Sequence, residues 1–165
     1  MSRSQKPGVR SRNPLTHYDS SGRVRMVDVS EKPATLRQAS ASALVRMSPR
    51  TLRAVKRNPK GNPLEIARIA GISAAKRTAE LIPLCHPLWL SHIDVQAGFT
   101  RNGVVVSSSV SSTGSTGVEM EALTAVAVAA LTVYDMCKAI DKGIEITEIK
   151  LLEKRGGKSG VYRAR

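Results

Sequence analysis

Apolar and polar residues alternate along LRQASASALVRM, residues 36–47, and this period of two predicts a strand with one buried face. The residues on that face are Ala39, Ala41, Ala43, Val45 and Met47. The next two residues, Ser and Pro, are a helix start with proline at the first helical position. The sequence TLRAVKRN therefore predicts a short basic helix after the first strand.

Two longer stretches also predict helices. Asn62-Pro63 repeats the helix-start signal, and residues 64–82 carry apolar side chains at roughly helical spacing until two prolines end the run and leave the loop PLCHP. The sequence after the loop Thr113–Gly117 is nearly all Ala, Val, Leu and Thr, with charges only near its two ends. This composition predicts a long helix, buried along its middle and terminated by Gly143.

From Leu90 onward the pattern returns to strands. The runs HIDVQAGF and VVVSSSVSS are separated by RNG, and Asn-Gly between two β-prone runs is the strongest short signal of a hairpin. The run IEITEIKLLEK alternates as a final strand before the basic end RGGKSGVYRAR. This order predicts an α+β, ferredoxin-like βαββαβ fold, an antiparallel sheet with helices packed on one face. The free edge of the last strand would suit self-association.

The length of 165 residues is typical of one domain. Residues 1–14 are polar, basic and rich in Gly, Pro and Ser, which predicts a disordered tail rather than a signal peptide, followed by a single domain over residues 15–165. The longest apolar run, residues 125–133, is too short to span a bilayer.

A net charge of +13 implies an anionic partner without specifying which one. Aromatic residues make up only 3% of the chain, which counts against a protein that stacks nucleic-acid bases on rings. Cys85 and Cys137 are not spaced as a redox or metal pair and are expected to be reduced thiols in a cytoplasmic protein. No cluster of Cys, His and acidic residues predicts a metal site.

Charged residues at the two ends of the long helix are candidates for chemistry. Glu119 and Glu121 lie in its first turn, where the helix dipole favours carboxylates, and their side chains point in different directions. Asp135 and Lys138, three residues apart near its end, fit either a surface ion pair or a partly buried pair that exchanges protons with a ligand. His86 alone is more often a structural residue than a catalyst.

Two glycine-rich loops resemble phosphate loops but do not match one. GGKSG lacks the required first glycine and a following helix, and TGSTG lacks the lysine. TGSTG does precede a helix, so its backbone N–H groups could hold an anion, although Ser115 or Thr116 acting only as the helix cap is the favoured interpretation. The dispersed basic side chains would suit a polyphosphate if the fold gathers them.

The segments MVDVS, KG, ARIAGISAAKRT, LIPLCHPL, GVEMEALTA, ALTVYDMCKA and GGKSG resemble the molybdenum-cofactor biosynthesis protein C family, the cyclic pyranopterin monophosphate synthases. The resemblance runs from about residue 15 to residue 162. It implies a homohexamer, a trimer of dimers, with active sites at a subunit interface. It also implies a GTP-derived substrate, 3',8-cyclo-7,8-dihydro-GTP, and a cyclic pyranopterin monophosphate product formed with release of pyrophosphate.

The resemblance also implies roles for particular residues. Asp135 matches the family's catalytic aspartate, Lys138 its lysine partner, and Lys60 a candidate general acid. The substrate-binding positions are matched by Leu84, Cys85, His86, Met120, Glu121, Glu119, Lys76, Arg37, Asp28 and Lys158. Arg37 and Lys158 are the residues expected to bind phosphates.

The resemblance implies no metal or other cofactor of the protein itself and leaves open whether Mg²⁺ accompanies the triphosphate. The family's loop usually reads TGKTG or TGRTG, whereas this chain has Ser115 at the middle position. That difference leaves a catalytically inactive homologue as one alternative. A basic module that binds nucleic acid through phosphate contacts is the other, since it would account for the charge.

Overall fold

The computed structural model describes residues 16–57 and 61–165, in which five strands form one sheet. They are β1 (Thr35–Arg46), β2 (Leu90–Thr100), β3 (Gly103–Gly114), β4 (Glu145–Arg155) and β5 (Tyr162–Arg163). Neighbouring strands are antiparallel, and their order across the sheet is β2–β3–β1–β4–β5. The predicted tail, residues 1–14, lies outside the described residues.

The described residues form four helices between these strands. They are α1 (Pro49–Lys56), α2 (Pro63–Ala75), α3 (Thr78–Leu81) and α4 (Glu119–Cys137). The first three lie between β1 and β2, and α4 lies between β3 and β4. This order confirms the predicted α+β, ferredoxin-like arrangement, to which β5 adds a two-residue strand that the sequence pattern did not predict.

The alternation along β1 is confirmed, because its predicted inner residues are buried: Ala39, Ala41, Ala43, Val45 and Met47. Small side chains there bring α4 close to the sheet. The hydroxyl of the buried Ser108 on β3 donates to the backbone oxygen of Ala122 on α4 at 2.8 Å. The core is therefore aliphatic, with polar contacts closing the gaps between helix and sheet.

The strand register defines two ends of the sheet. At the upper end, β1 begins and β3 ends, with Thr35 opposite Gly114. At the lower end, β1 ends and β4 begins, with Arg46 opposite Glu145. Because α4 follows β3 and precedes β4, it starts at the upper end and finishes at the lower end.

Helices α2 and α4 pack closely through small residues. A Cβ added to the buried Gly71 of α2 would lie 2.9 Å from the backbone oxygen of Ala125 and 3.2 Å from the Cβ of Ala129 on α4. It would also lie 3.1 Å from a methyl carbon of Val95 on β2. A glycine is required here for close approach rather than for an unusual backbone conformation.

The prediction of one helix over residues 64–82 is wrong in its middle, because Lys76 and Arg77 separate α2 from α3. The backbone N–H of Arg77 donates to the Ala74 oxygen, which tightens the chain into a three-residue turn. The buried hydroxyl of Thr78 donates to the Ala75 oxygen at 3.0 Å and satisfies a carbonyl that a continuous helix would use.

The prediction that Gly143 terminates the long helix is also wrong, since α4 ends at Cys137 with Lys138 as its C-cap. The carboxylate of Asp141 accepts hydrogen bonds from the Thr51 hydroxyl at 2.7 Å and from the Gly143 N–H at 2.8 Å. These bonds fix a turn between α4 and β4 against α1. The short-range signal of glycine could not reveal that contact.

By length and composition α4 also meets the criteria for a membrane span, with a mean hydropathy of 1.4, although its longest apolar run alone is short. Half of the most apolar window is buried inside the structure. The core helix of a folded domain meets the same criteria, and α4 occupies that place against β1 and β3.

Replacing Gly71 with valine should lower the free energy of unfolding by about 1–3 kcal/mol, because the added carbons meet backbone and side-chain atoms that cannot all retreat. Gly98→Val on β2 is the matched control, since a Cβ at Gly98 meets no atom within 4 Å. Urea unfolding of both variants measures the difference. Equal effects of the two substitutions would contradict the close packing of α2 on α4.

Candidate active site

A basic cavity of about 460 Å³ lies at the upper end of the sheet. Its lining residues are Lys32, Pro33, Thr35, Arg37, Ser115, Gly157, Lys158 and Ser159. The fold thus brings Arg37 and Lys158, the two residues expected to bind phosphates, into one cavity although they are far apart in the sequence. Within residues 16–57 and 61–165, neither they nor Lys32 form an ion pair with a carboxylate. Their charges are available to an anionic ligand.

Arg37 is held in place by backbone carbonyl groups. Its Nε donates to the Gly114 oxygen at 3.2 Å, and Nη2 donates to the Ser115 oxygen at 3.4 Å. Carbonyl groups orient a guanidinium without neutralising it. The arrangement therefore fixes the direction of Arg37 and keeps its full positive charge.

The first two glycines of GGKSG serve close packing. Gly156 and Gly157 have φ values of +96° and +73°, a region that favours glycine. A Cβ on Gly156 would overlap the backbone oxygen of Leu36, and one on Gly157 would overlap the guanidinium of Arg37. Because the chain can approach β1 so closely, Lys158 reaches the same cavity as Arg37.

A second group of predicted residues lies near the start of α4. Leu84, Cys85 and His86 are half-buried in the loop before β2, and this loop is at the upper end because Leu90 pairs with Ser112. The Ser112 hydroxyl donates to the backbone oxygen of Trp89 at 2.8 Å, and this bond attaches the end of the loop to β3. Because α4 also starts at the upper end, these three residues and Glu121 lie at the same end of the sheet.

Glu121 is almost completely buried, with 4% of its surface exposed. Burial, with a smaller contribution from the charge of Glu119, raises the pKa of Glu121 to about 6. Burial, with a smaller contribution from the charge of Glu121, raises the pKa of the Cys85 thiol. A carboxyl group with this pKa can hold or release a proton close to neutral pH.

Glu119 and Met120 differ from Glu121 in their surroundings. Glu119 is half-buried and its carboxylate lies against Gly117, whereas Met120 is exposed to solvent. The expectation that Ser115 or Thr116 caps the helix is wrong, because Val118 is at the N-cap and no side chain accepts a capping bond there. The hydroxyl of Ser115 instead donates to the backbone oxygen of Lys32 at 3.1 Å.

Asp135 and Lys138 lie at the lower end of the sheet, where Nζ of Lys138 is 2.7 Å from Oδ1 of Asp135. The expectation of partial burial is wrong within a single chain, since 67% of the Asp135 side chain and 55% of the Lys138 side chain are exposed. The hydrogen bond and the charge of Asp135 raise the pKa of the Lys138 ammonium. The pair is preformed and faces solvent.

The predicted residues therefore do not form one cluster within a single chain. Glu121 and Asp135 are separated by fourteen residues of continuous helix, which corresponds to about 21 Å along its axis. Arg37, Lys158 and Glu121 lie at the upper end, while Asp135 and Lys138 lie at the lower end. No rotation of side chains can close this distance.

Three further predicted residues lie elsewhere. Lys76 is the exposed C-cap of α2, at the upper end because a crossover helix runs antiparallel to the strands it connects. Asp28 is exposed outside the strands, and its carboxylate accepts bonds from the N–H and hydroxyl of Ser30, which lower the pKa of Asp28. Lys60 lies outside the described residues.

Lys32, which lines the basic cavity beside Arg37, was not among the predicted site residues. Lys32 follows MVDVS, a segment that matched the family through other residues. Its position near the start of β1 was the available signal, because the start of β1 and the end of β3 meet in an antiparallel pair.

A family model and three curated relatives all match this chain over most of its length. A family model described as the MoaC family matches residues 26–157. Three curated proteins, each named cyclic pyranopterin monophosphate synthase 1, are 58% identical to the chain over 152 residues. They come from Mycobacterium bovis (strain ATCC BAA-935 / AF2122/97) and two strains of Mycobacterium tuberculosis, and the match covers 90% of this chain and 89% of each relative.

The buried carboxyl group predicts a pH-dependent stability difference between the wild-type protein and Glu121→Gln. Burial raises the pKa of Glu121 from 4.5 to about 6, so the folded protein holds this proton more tightly than the unfolded chain. The protonated carboxyl group of Glu121 therefore adds to the free energy of unfolding. This contribution is complete below pH 4.5 and disappears as the pH rises through 6, a change of about 2 kcal/mol.

Urea unfolding of both proteins between pH 4 and pH 7.5 measures this difference. Thr124→Val, a substitution of a buried, non-titrating residue on the same helix, should shift stability by an amount that does not depend on pH. A constant difference between wild type and Glu121→Gln across this range would contradict the raised pKa.

Proposed function

The chain belongs to the MoaC family, and we propose that it forms cyclic pyranopterin monophosphate at sites that two copies of the chain complete. It is a cyclic pyranopterin monophosphate synthase, a lyase of molybdenum cofactor biosynthesis. The observation that supports the proposed site is the gathering of Lys32, Arg37 and Lys158 around one cavity. The proposed substrate is 3',8-cyclo-7,8-dihydro-GTP, and pyrophosphate is the second product.

The basic cavity is the proposed binding site for the triphosphate. Forming a cyclic monophosphate requires an oxygen to attack the phosphorus nearest the sugar while pyrophosphate leaves. Negative charge grows on the leaving oxygen, and fixed cations stabilise that charge without having to reorganise. Arg37, held by two carbonyl groups, is such a fixed cation.

The group around Glu121 is the proposed wall of the site for the ring system. Ring opening and closure of the new pterin ring require groups that donate and accept protons at neutral pH. Glu121, with its raised pKa, lies at the start of α4, and the half-buried His86 and Cys85 lie in the loop at the same end of the sheet. They border the ring, while the basic cavity holds the phosphates.

Asp135 and Lys138 are the proposed catalytic pair and come from a second copy. Within one chain the pair lies about 21 Å from Glu121, so it cannot reach a ligand bound at the upper end. The pair is also exposed, as expected for groups that are covered only when another subunit packs on them. The hydrogen bond from Lys138 to Asp135 holds the ammonium group in position to act as an acid or a phosphate ligand. Lys60, a further proposed acid, is assigned from the family resemblance alone.

The surface of the helices is suitable for such an assembly. Ile66 and Ile69 on α2 and Leu131 on α4 are exposed by 49%, 56% and 57%, respectively. Trp89, in the loop beside the proposed site, is 91% exposed. Large exposed apolar side chains favour contact between copies of the chain, and such contact would also bring together the site residues that lie at opposite ends of one chain. We therefore propose the homohexamer that the family resemblance implies.

We also propose a cytoplasmic location. Cys85 and Cys137 are both free thiols, which is usual in a reducing compartment. The proposed substrate is a nucleotide derivative that carries a triphosphate, and such compounds are made and used inside cells.

Asp135→Asn should lower kcat by about a hundredfold or more, because the amide cannot accept a proton or form an ion pair with Lys138. The assay follows pyrophosphate release and pterin formation from enzymatically prepared 3',8-cyclo-7,8-dihydro-GTP by mass spectrometry. Glu145→Gln is the matched control, since Glu145 forms an exposed ion pair with Arg46 at the same end of the sheet. Turnover by Asp135→Asn at the wild-type rate would refute the proposed role.

A mixing experiment tests whether two copies share one site. Asp135→Asn and Arg37→Ala subunits, each nearly inactive alone, are expressed together with different tags and purified as mixed assemblies. With equal amounts and random pairing, about half of the sites have an intact Arg37 and about half have an intact Asp135. About a quarter of the sites then have both, so about a quarter of wild-type activity should return. Mixed assemblies as inactive as their parents would show that each site is built from one chain.

A further inference from the structure

Ser115 connects the two sides of the basic cavity through different atoms. Its backbone oxygen accepts a bond from Nη2 of Arg37, which extends from β1. Its hydroxyl donates to the backbone oxygen of Lys32 at 3.1 Å. One residue in the loop before α4 therefore contacts both segments that supply cations to the same cavity.

The segment that carries Lys32 depends on this bond. Residues 25–34 belong to no helix or strand, and the hydrogen bonds found for residues 16–34 otherwise stay within that segment of the described chain. One such bond joins the Lys32 N–H to the Val29 oxygen at 3.0 Å. The hydroxyl of Ser115 thus attaches a local turn to the sheet.

We propose that the Ser115 hydroxyl is a positioning group for polyphosphate binding, where the identity of the anion rests on the proposed function. It fixes the backbone of Lys32 so that this ammonium group and the Arg37 guanidinium face one anion. The hydroxyl hydrogen is used in the bond to Lys32, so Ser115 acts through that residue rather than as a phosphate donor. Since no side chain caps α4, the hydroxyl has no competing partner there.

This arrangement has a consequence for affinity. A lysine on an untethered segment must lose conformational freedom when it binds a phosphate, whereas a tethered lysine has already lost part of it. Removing the tether should weaken anion binding without changing the chemical step, because Ser115→Ala keeps the two backbone oxygens that hold Arg37 in place. The expected loss for one hydrogen bond is about three- to tenfold in affinity.

Binding of inorganic tripolyphosphate, measured by calorimetry at fixed ionic strength, tests the proposal without requiring turnover. Ser115→Ala should raise Kd about three- to tenfold. Ser115→Thr keeps the hydroxyl and should restore wild-type binding. Ser91→Ala is the matched control, because the Ser91 hydroxyl likewise donates to a backbone oxygen, that of Ser111, at 3.1 Å. The Kd of this variant should equal that of the wild-type protein.

A double-variant cycle distinguishes positioning from general damage to the fold. If the hydroxyl acts by placing Lys32, then Ser115→Ala should have no further effect on Kd in a Lys32→Ala background. In the turnover assay, Ser115→Ala should raise KM for the nucleotide and leave kcat unchanged. A merely structural role would lower stability and would not produce this split.

Several results would overturn the proposal. These are a Kd for Ser115→Ala within the error of wild type, no rescue by Ser115→Thr, full additivity with Lys32→Ala, or no tripolyphosphate binding by the wild-type protein. Absence of turnover by a wild-type protein that binds tripolyphosphate would instead count against the proposed function. The binding results would still decide the role of Ser115.

Discussion

The close packing of α4 against α2 and the sheet is the contact on which the rest of the structure depends. Small residues on all three elements, with Gly71 at the tightest point, hold the helix against the core. Since α4 runs from one end of the sheet to the other, it sets both the position of Glu121 and that of Asp135. The fold thus places Glu121 and the basic cavity at one end of the sheet and the pair Asp135–Lys138 at the other.

Features encoded by neighbouring residues were predictable from the sequence. The alternation of β1 and the Asn-Gly hairpin identified the sheet, because period and turn chemistry act over a few residues. The break at Lys76 and the end of α4 were not predictable, since Thr78 and Asp141 act through side-chain bonds that depend on packing. The family resemblance supplied the residues of the site but not their separation, which only the direction of α4 reveals.

The basic cavity is a clearer example of a feature that the sequence did not predict, because distant parts of the chain build it. Arg37 and Gly157 are 120 residues apart in the chain, and no local pattern indicates that one packs against the other. The motif GGKSG suggested a phosphate loop, whereas its glycines permit the chain to lie against β1. The departure at Ser115 was visible in the sequence, but its partner, Lys32, was not, because that bond joins a turn to a loop across the fold.

The direction of α4 has a consequence for symmetry. In the proposed site, each chain offers one phosphate-binding half at the upper end and one catalytic half at the lower end. In an isologous pair, the two-fold axis repeats every contact. If the upper end of one copy meets the lower end of its partner, the lower end of the first copy also meets the upper end of the partner, so both sites form in a single association step. A lone subunit would then carry both halves and still be incomplete, and dilution would remove two sites at once rather than one.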